Sequence, residues 1–246
     1  MTAPHLLTTP EGRKIAYHQT AGAEPGVVFL GGLRSDMTGT KAQFLQDWAK
    51  VRGRAFLRFD YSGHGASDGR FEDGCIGDWL ADARAVLGLT RGPQVLVGSS
   101  MGGWIALLLA RAVPERVAGL VTVAAAPDFT EEVKAGLSDA QHADLQAGHV
   151  ALPSAYGPPL VLTARLIADG ARHLVLLDPL DLPFPVRMLQ GTADADVPMA
   201  RALALLRHAT GPDICLSLVK GADHRFSTPQ CLAMIAQAVG DVSGGL

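Results

Sequence analysis

Short apolar segments alternate with longer amphipathic ones along most of the 246 residues. The apolar segments are VVFL (27–30), AFLRFD (55–60), QVLVGS (94–99), VAGLVTVAA (117–125), VRMLQG (186–191) and ICLSLVKG (214–221). Runs this short and this continuously apolar are typical of strands buried on both faces of a sheet. The amphipathic segments, each near a Gly or Pro, predict helices at about 40–52, 76–90, 101–113, 199–209 and 229–239. The alternation predicts an α/β fold with a mostly parallel central sheet and helices on both faces.

One long segment, residues 127–185, interrupts this alternation. It contains no clear strand, and its two helix-like stretches, 130–147 and 160–170, are joined by the turn-rich HVALPSAYGPP. A segment that leaves a parallel sheet after one strand and returns at the next can cover the carboxyl ends of the strands, where open α/β sheets bind ligands. We therefore expect a single domain, 1–246, in which 127–185 forms a small helical cap.

Charge and cysteine content narrow the classes of function. The formal net charge is −3 and the chain has no basic run, so a nucleic-acid partner is not expected. Cys75, Cys215 and Cys231 are too widely spaced for a zinc motif or a disulfide framework. The N-terminal residues lack a signal-peptide pattern, and no apolar run approaches the roughly 20 residues that cross a bilayer. We expect a cytoplasmic protein without a membrane span.

The stretch VLVGSSMGGW contains the most informative motif. Gly98, Ser99, Ser100, Met101 and Gly102 fit the pattern GxSxG, with Ser100 at its centre, directly after a buried strand and before an apolar helix. On such a tight strand-to-helix turn, the serine hydroxyl projects at the carboxyl edge of the sheet as a nucleophile. The following amide, at the positive end of the helix, points toward a developing oxyanion. The alternative is a serine that only caps the helix.

A nucleophilic serine needs a base and a group that orients the base. After a GxSxG serine, the acid and then the histidine are expected further along the chain, in that order. The last two predicted strands run into GTADADVP and GADHRF, which place Asp194 and His224 at the same sheet edge as Ser100. Asp196 is the alternative acid, although it fits better as a turn residue or helix N-cap. His64, in DYSGHG after another strand, is the alternative base. Three further histidines fall in the predicted cap and are expected to be ordinary surface residues: His142, His149 and His173.

The loop after VVFL, which reads GGLRSDM, should supply a second oxyanion donor. Its glycines let the backbone turn toward the site, and the amide of Leu33 is the expected donor beside that of Met101. A tight turn without a catalytic role is the alternative. Arg34 and Asp36 either line the pocket or form a surface ion pair of little energetic value.

Several motifs together resemble those of serine α/β-hydrolases: GGLRSDM, RFDYSGHGASDG, VLVGSSMGGW, GTADADVP and GADHRF. More narrowly, they resemble the branch of mitochondrial acyl-protein thioesterases (depalmitoylases) and acyl-glucuronide esterases. The resemblance extends from about residue 12 to the C-terminus and is weakest in the cap. It implies the α/β-hydrolase fold, a nucleophile at Ser100, an acid at Asp194, a base at His224 and oxyanion donors at Leu33 and Met101. It also implies neither metal nor organic cofactor. Because no mitochondrial targeting segment is apparent, a bacterial cytosolic relative is expected.

These residues predict a two-step transfer of an acyl group from an ester or thioester to water. The substrate would be a small acyl ester or thioester, with an acylated protein as a further possibility. Haloalkane dehalogenases and epoxide hydrolases of this fold use a carboxylate as nucleophile, so Ser100 argues against both. Carbon–carbon bond hydrolysis and a non-catalytic small-molecule receptor remain as alternatives.

The pocket walls are the least specific part of the prediction. Apolar cap residues above Trp104 either form an acyl site or only pack the cap onto the body: Leu145, Val150, Tyr156, Leu162 and Leu166. Arg165 and Arg172 either bind an anionic leaving group or lie on solvated helix faces. The residues predicted to contact substrate are Arg34, Trp104 and Tyr156.

Overall fold

The computed structural model describes residues 3–154 and 157–244. Its strands are β1 (His5–Thr8), β2 (Lys14–Thr20), β3 (Ala23–Leu30), β4 (Arg54–Phe59), β5 (Gln94–Ser99), β6 (Val117–Val123), β7 (His149–Leu152), β8 (Leu160–Thr163), β9 (Leu180–Asp181), β10 (Val186–Gly191), β11 (Ala209–Thr210) and β12 (Ile214–Val219). Its α-helices are α1 (Thr40–Val51), α2 (Ile76–Leu87), α3 (Met101–Ala112), α4 (Phe129–Gly136), α5 (Asp139–Gln146), α6 (Ala164–Gly170), α7 (Met199–His208) and α8 (Pro229–Val242).

Eight strands form the main sheet, in the order β1-β2-β4-β3-β5-β6-β10-β12. The six strands from β4 to β12 pair in parallel, as predicted. The first two strands are antiparallel and lie at one edge. The sequence analysis missed them because an edge strand with one solvated face lacks the continuous apolar run of a strand buried on both faces.

Alternate residues of the buried strands feed two separate cores, one on each face of the sheet. Leu96 of β5 packs into a core shared with α2 and α3, whereas its neighbours Val95 and Val97 pack into one shared with α1 and α8. This alternation follows from the period of two residues along a strand. The sheet is therefore covered by helices on both faces, which confirms the predicted α/β-hydrolase fold.

The predicted insertion leaves the sheet after β6 and returns at β10, its direct neighbour in the sheet. The insertion contains the helices α4, α5 and α6, and also an antiparallel hairpin of β7 and β8 that was not predicted. The stretch 130–147 is also two helices, since Ser138 and Gln141 form a capping box that starts α5. The stretch 160–170 begins as a strand, and Thr163 then caps α6.

Buried polar contacts link the two ends of this insertion and attach it to the rest of the protein. The Asp128 carboxylate accepts hydrogen bonds from the amides of Val175 (2.9 Å) and Leu176 (3.0 Å), which ties the start of the insertion to its end. Asp169 of α6 accepts one from the amide of Gly77 at the start of α2 (2.7 Å). We propose that residues 127–185 serve as the cap of one domain.

Candidate active site

Ser100 lies on a strained turn between β5 and α3. Its φ is 55° and its ψ −123°, a conformation that residues other than glycine rarely adopt. The flanking glycines are required by space: a Cβ on Gly98 would lie 2.3 Å from the carbonyl oxygen of Gly102, and one on Gly102 would lie 2.2 Å from that of Leu30. The strand and the helix thus approach too closely for any side chain at either position.

The neighbouring strand and loop hold this strained backbone in place. The Ser100 amide donates to the carbonyl of Val123, the last residue of β6, at 2.9 Å. The Ser100 carbonyl accepts from the amides of Gly103 (2.9 Å) and Ala126 (3.1 Å). Because both polar groups of the backbone are bonded, the direction of the Ser100 Cα–Cβ bond is held by the surrounding backbone.

A chain of hydrogen bonds joins the three residues that the sequence analysis proposed as a triad. The Ser100 Oγ lies 3.1 Å from Nε2 of His224, and Nδ1 of His224 lies 2.9 Å from Oδ2 of Asp194. The three residues follow β5, β12 and β10, whose carboxyl ends meet at one edge of the sheet. An ionised carboxylate can only accept, so Nδ1 carries the proton and Nε2 is free to accept one from Ser100.

The side chain of Asp194 is fully buried but well supplied with donors. Its Oδ1 accepts from the amides of Asp196 (2.9 Å) and Val197 (2.8 Å), and its Oδ2 also accepts from Nε2 of Gln190 (3.0 Å). Burial alone would raise the pKa of Asp194, but the hydrogen bonds from His224 and these amides outweigh it and lower the pKa. The carboxylate therefore stays ionised opposite the imidazole.

Asp196 lies in the same turn, but Asp194 is the aspartate bonded to Nδ1. Asp196 is also not a helix N-cap, because Pro198 holds that position before α7. Asp194, Asp196 and His224 each place a possible metal-ligand atom within 4.8 Å of the others. Both ring nitrogens of His224 are already engaged with Asp194 and Ser100, so the arrangement suits proton transfer better than metal binding.

The loop after β3 lies beside the serine turn. A Cβ on Gly32 would be 3.2 Å from the Cβ of Ser100, so the backbone passes directly over it. Met101 is the first residue of α3, and its amide has no acceptor within the helix. Leu33 and Met101 both line the cavity that adjoins Ser100.

Two charged residues of β4 and the following turn hold the end of that loop. Oδ1 of Asp60 accepts from the amide of Met37 at 2.6 Å, and the Arg58 guanidinium donates to the carbonyl of Met37. Burial raises the pKa of Asp60, although hydrogen bonds from the Ala66 and Met37 amides lower it in part. The sequence analysis assigned no role to either residue, because their partner lies more than 20 positions away.

Comparison with known proteins places the chain in a family. The model of the family described as serine aminopeptidase, S33, matches residues 23–163, more than half of the chain. The palmitoyl-protein thioesterase ABHD10, mitochondrial, of Rattus norvegicus is 34% identical over 245 residues, which cover 98% of this chain and 82% of that protein. The chain is an α/β-hydrolase. It belongs to the serine hydrolase and esterase members of that family.

Two solved structures resemble this α/β-hydrolase over nearly its whole length. A hydrolase from Agrobacterium vitis S4 is 42% identical, with a TM-score of 0.94, and 98% of each chain is covered. The mouse α/β-hydrolase domain-containing protein 10 is 33% identical, with a TM-score of 0.91 and the same coverage. In the part of the α/β-hydrolase that the structure describes, no helix is long and apolar enough to cross a membrane.

His64, the alternative base, is buried elsewhere in the hydrolase. It is only 3% exposed, its Nδ1 lies 3.1 Å from the carbonyl of Ser62, and its ring packs edge-on against Tyr61, Phe71 and Trp79. Burial lowers its pKa, which favours the neutral ring. His64 is not among the described residues that line the cavity beside Ser100.

A cavity of about 1030 Å³ opens beside Ser100 and His224, between the sheet edge and the insertion. Ala126 and the insertion that follows it supply a mostly apolar wall, in which the insertion contributes Phe129, Glu132, Val133, Ala135, Gly136, Pro153, Ser154, Pro158, Leu160 and Leu162. The body supplies most of the charged and polar residues: Gly32, Leu33, Arg34, Ser35, Lys41, Ser99, Ser100, Met101, Asp196, Val197, Pro198, His224 and Arg225. The cavity therefore has an apolar side and a polar, partly cationic side.

The residues predicted to contact substrate have different positions. Arg34 lines the cavity, and its Nη1 donates to the carbonyls of Pro158 (3.4 Å) and Pro159 (3.1 Å) in the cap. Trp104 is fully buried outside the cavity, where its Nε1 donates to the carbonyl of His173 at 3.0 Å, so the prediction of substrate contact is wrong for this residue. Tyr156 lies outside the described residues.

The other pocket predictions divide in the same way. All four leucine and valine residues pack in one buried core, and of these only Leu162 also reaches the cavity wall: Leu145, Val150, Leu162 and Leu166. The two cap arginines are held by neighbouring carboxylates and do not line the cavity: Arg165 bonds Asp78 (2.7 Å) and the carbonyl of Asp73, and Arg172 bonds Asp169 (2.9 Å). Asp36 accepts from the amide of Thr38 at 2.7 Å in a local turn.

Sequence reasoning missed four residues of the cavity wall in particular. Phe129 and Val133 come from α4, whose amphipathic pattern was visible but gave no indication of what its apolar face covers. Lys41 lies in the first turn of α1, shortly after the GGLRSDM loop, and Arg225 directly follows His224. Both residues line the cavity. Proximity to a motif was therefore the signal that could have found them.

Proposed function

We propose that this α/β-hydrolase cleaves carboxylic esters and thioesters through an acyl-enzyme on Ser100. The observation that carries the proposal is the unbroken line of hydrogen bonds from Asp194 through His224 to Ser100, at the wall of a cavity large enough for an acyl substrate. A serine hydroxyl becomes nucleophilic when such a base takes its proton. The strained, fixed backbone at Ser100 supports the same role.

Acylation follows from the distances. The Ser100 Oγ attacks the substrate carbonyl carbon while Nε2 of His224, 3.1 Å away, accepts its proton. The carbonyl oxygen becomes an oxyanion that the amides of Leu33 and Met101 stabilise. Asp194 stabilises the imidazolium and holds its tautomer. Nε2 then gives the proton to the departing alkoxide or thiolate, which leaves the acyl group on Ser100.

Deacylation uses the same groups in reverse. His224, again neutral, takes a proton from a water molecule, and the resulting hydroxide attacks the acyl carbonyl carbon. A second oxyanion forms and collapses, Ser100 leaves with the proton from Nε2, and the carboxylic acid is released. The protein's own residues balance every proton in both steps.

The two sides of the cavity support a division between acyl group and leaving group. Phe129, Val133 and Leu160 offer an apolar surface for an acyl chain, and Arg34 adds a cation to the cavity wall. Thioesters, including those of acylated proteins, and acyl glucuronides are the substrate classes we infer. The thioesterase name of the rat relative supports the first class.

The test is a panel of acyl thioesters, acyl glucuronides and p-nitrophenyl esters of increasing chain length, assayed with the native enzyme, Ser100→Ala and Ser99→Ala. We expect turnover that Ser100→Ala abolishes and Ser99→Ala keeps within about threefold, with kcat/KM rising with chain length. Equal turnover in Ser100→Ala would contradict the proposal. Absence of serine-dependent turnover across the panel would favour carbon–carbon hydrolysis or a receptor.

A further inference from the structure

Lys41 connects a helix on one face of the sheet to the loop that carries His224. It lies in the first turn of α1, and its Nζ donates to the carbonyl oxygen of Arg225 at 2.6 Å. Arg225 directly follows His224, so the contact acts on the peptide next to the proposed base. Lys41 and Arg225 also line the cavity together with Ser100 and His224.

The loop that carries His224 turns sharply on both sides of the histidine. Gly221 has φ 75° and Phe226 has φ 48°, and the Phe226 amide bonds back to Asp223, at 3.2 Å to its carbonyl and 3.1 Å to Oδ1. On the other side, the Ala222 carbonyl accepts from the amide of Ala193 at 3.0 Å. These bonds fix the flanks of the loop, and Lys41 adds a link from α1 to its centre.

The hydrogen bond from Lys41 to the Arg225 carbonyl is short, and its electrostatic surroundings are mixed. Burial lowers its pKa, the nearby carboxylate of Asp223 acts in the opposite direction, and the like charge of Arg225 lowers it further. Hydrogen bonds from a charged donor are about twice as strong as neutral ones. An ammonium that is partly removed from water gains more from its carbonyl partner than one in free solution would.

We propose that Lys41 is a positioning residue that holds the Arg225 carbonyl and thereby keeps the imidazole of His224 in line with Ser100 and Asp194. The proposal rests on the acyl-hydrolase function above. It predicts an effect on the chemical steps, because both acylation and deacylation pass through Nε2. Misplacement of a catalytic group by about 1 Å can cost a hundredfold in rate.

The test compares Lys41→Met, Lys41→Arg and a control, Lys50→Met, which removes an exposed lysine from the last turn of the same helix. Methionine keeps the unbranched stem without the donor, and arginine restores a charged donor. We expect Lys41→Met to lower kcat by about ten- to a hundredfold with KM within twofold. Lys41→Arg should recover kcat to within about fivefold of the native value. Lys50→Met should have the kcat of the native enzyme.

Three results would overturn the proposal. Unchanged kcat in Lys41→Met would show that the contact does not position His224. A raised KM with kcat intact would assign Lys41 to substrate binding. Equal loss in Lys41→Arg and Lys41→Met, with equal melting temperatures, would show that the donor is irrelevant. Ser100→Ala is assayed in parallel. Turnover that does not depend on Ser100 would contradict the acyl-hydrolase function itself, whereas Ser100-dependent turnover with any of the three results above would contradict only the role of Lys41.

Discussion

Gly102→Ala tests whether the close approach of α3 to the loop after β3 creates the oxyanion site. A Cβ at this position would lie 2.2 Å from the carbonyl oxygen of Leu30 and 2.4 Å from that of Gly31, far inside contact distance. Both atoms belong to the backbone, so no side chain can turn away, and either α3 or the loop must move. The amides of Met101 and Leu33 sit on these two segments and would separate.

Two magnitudes follow from this displacement. Overpacking a tight site costs about 1–3 kcal/mol of the free energy of unfolding. Loss of one oxyanion donor typically lowers kcat by about 10² to 10³. We therefore expect Gly102→Ala to fold, to unfold at lower denaturant concentration, and to lose at least a hundredfold in kcat while the triad hydrogen bonds persist.

The matched control is Gly240→Ala in α8, where an added Cβ meets no atom within 4 Å. Alanine in a helix is favoured over glycine by about 0.5–1 kcal/mol, so this variant should gain stability and keep its kcat. Urea unfolding and initial rates on one p-nitrophenyl ester measure both variants. Native stability and native kcat in Gly102→Ala would refute the reasoning.

Three further changes probe other parts of the account. Asp194→Asn should lower kcat by about 10⁴. Because the pKa of Asp194 is lowered in the folded state, the stability that its carboxylate contributes is present above the ordinary pKa of 3.8 and is lost as the pH falls below it. In urea unfolding, the difference in stability between the native enzyme and Asp194→Asn should therefore shrink in acid. His64→Gln should keep kcat within about threefold and should lose less melting temperature than the native enzyme as the pH falls below 6.5. The reason is that the buried ring has a lowered pKa, so the unfolded chain binds the proton first. A melting temperature that falls with pH as steeply as in the native enzyme would contradict this. Trp104→Phe should lower the free energy of unfolding by about 1–3 kcal/mol, because it leaves the His173 carbonyl without its hydrogen-bond donor, and should leave kcat/KM unchanged. A large rise in KM would instead indicate that Trp104 contacts the substrate.

The central strands and the order of the proposed triad could be predicted because each rests on a local signal. Buried parallel strands such as β5 have continuous apolar sequences, and GxSxG has a defined strand-turn-helix context. Asp194 and His224 follow strands whose carboxyl ends must meet at one edge. Parallel topology thus converts positions in the sequence into proximity in space.

The cap and the cavity wall could not be predicted in the same way. The hairpin of β7 and β8 has four residues in each strand, too few for a clear alternating pattern. Trp104 and Leu162 are both fully buried in one core, yet of the two only Leu162 reaches the cavity wall, because the distinction depends on how the insertion lies over α3. The contact of Lys41 with Arg225 spans 184 positions and leaves no local trace.

The acyl-enzyme itself is the most direct test of the central claim. The native enzyme is mixed with p-nitrophenyl butyrate, quenched in acid during turnover and analysed by intact-protein mass spectrometry and peptide mapping. We predict one butyryl group on Ser100, absent from Ser100→Ala. Turnover without any covalent adduct, or an adduct on another residue, would contradict the account.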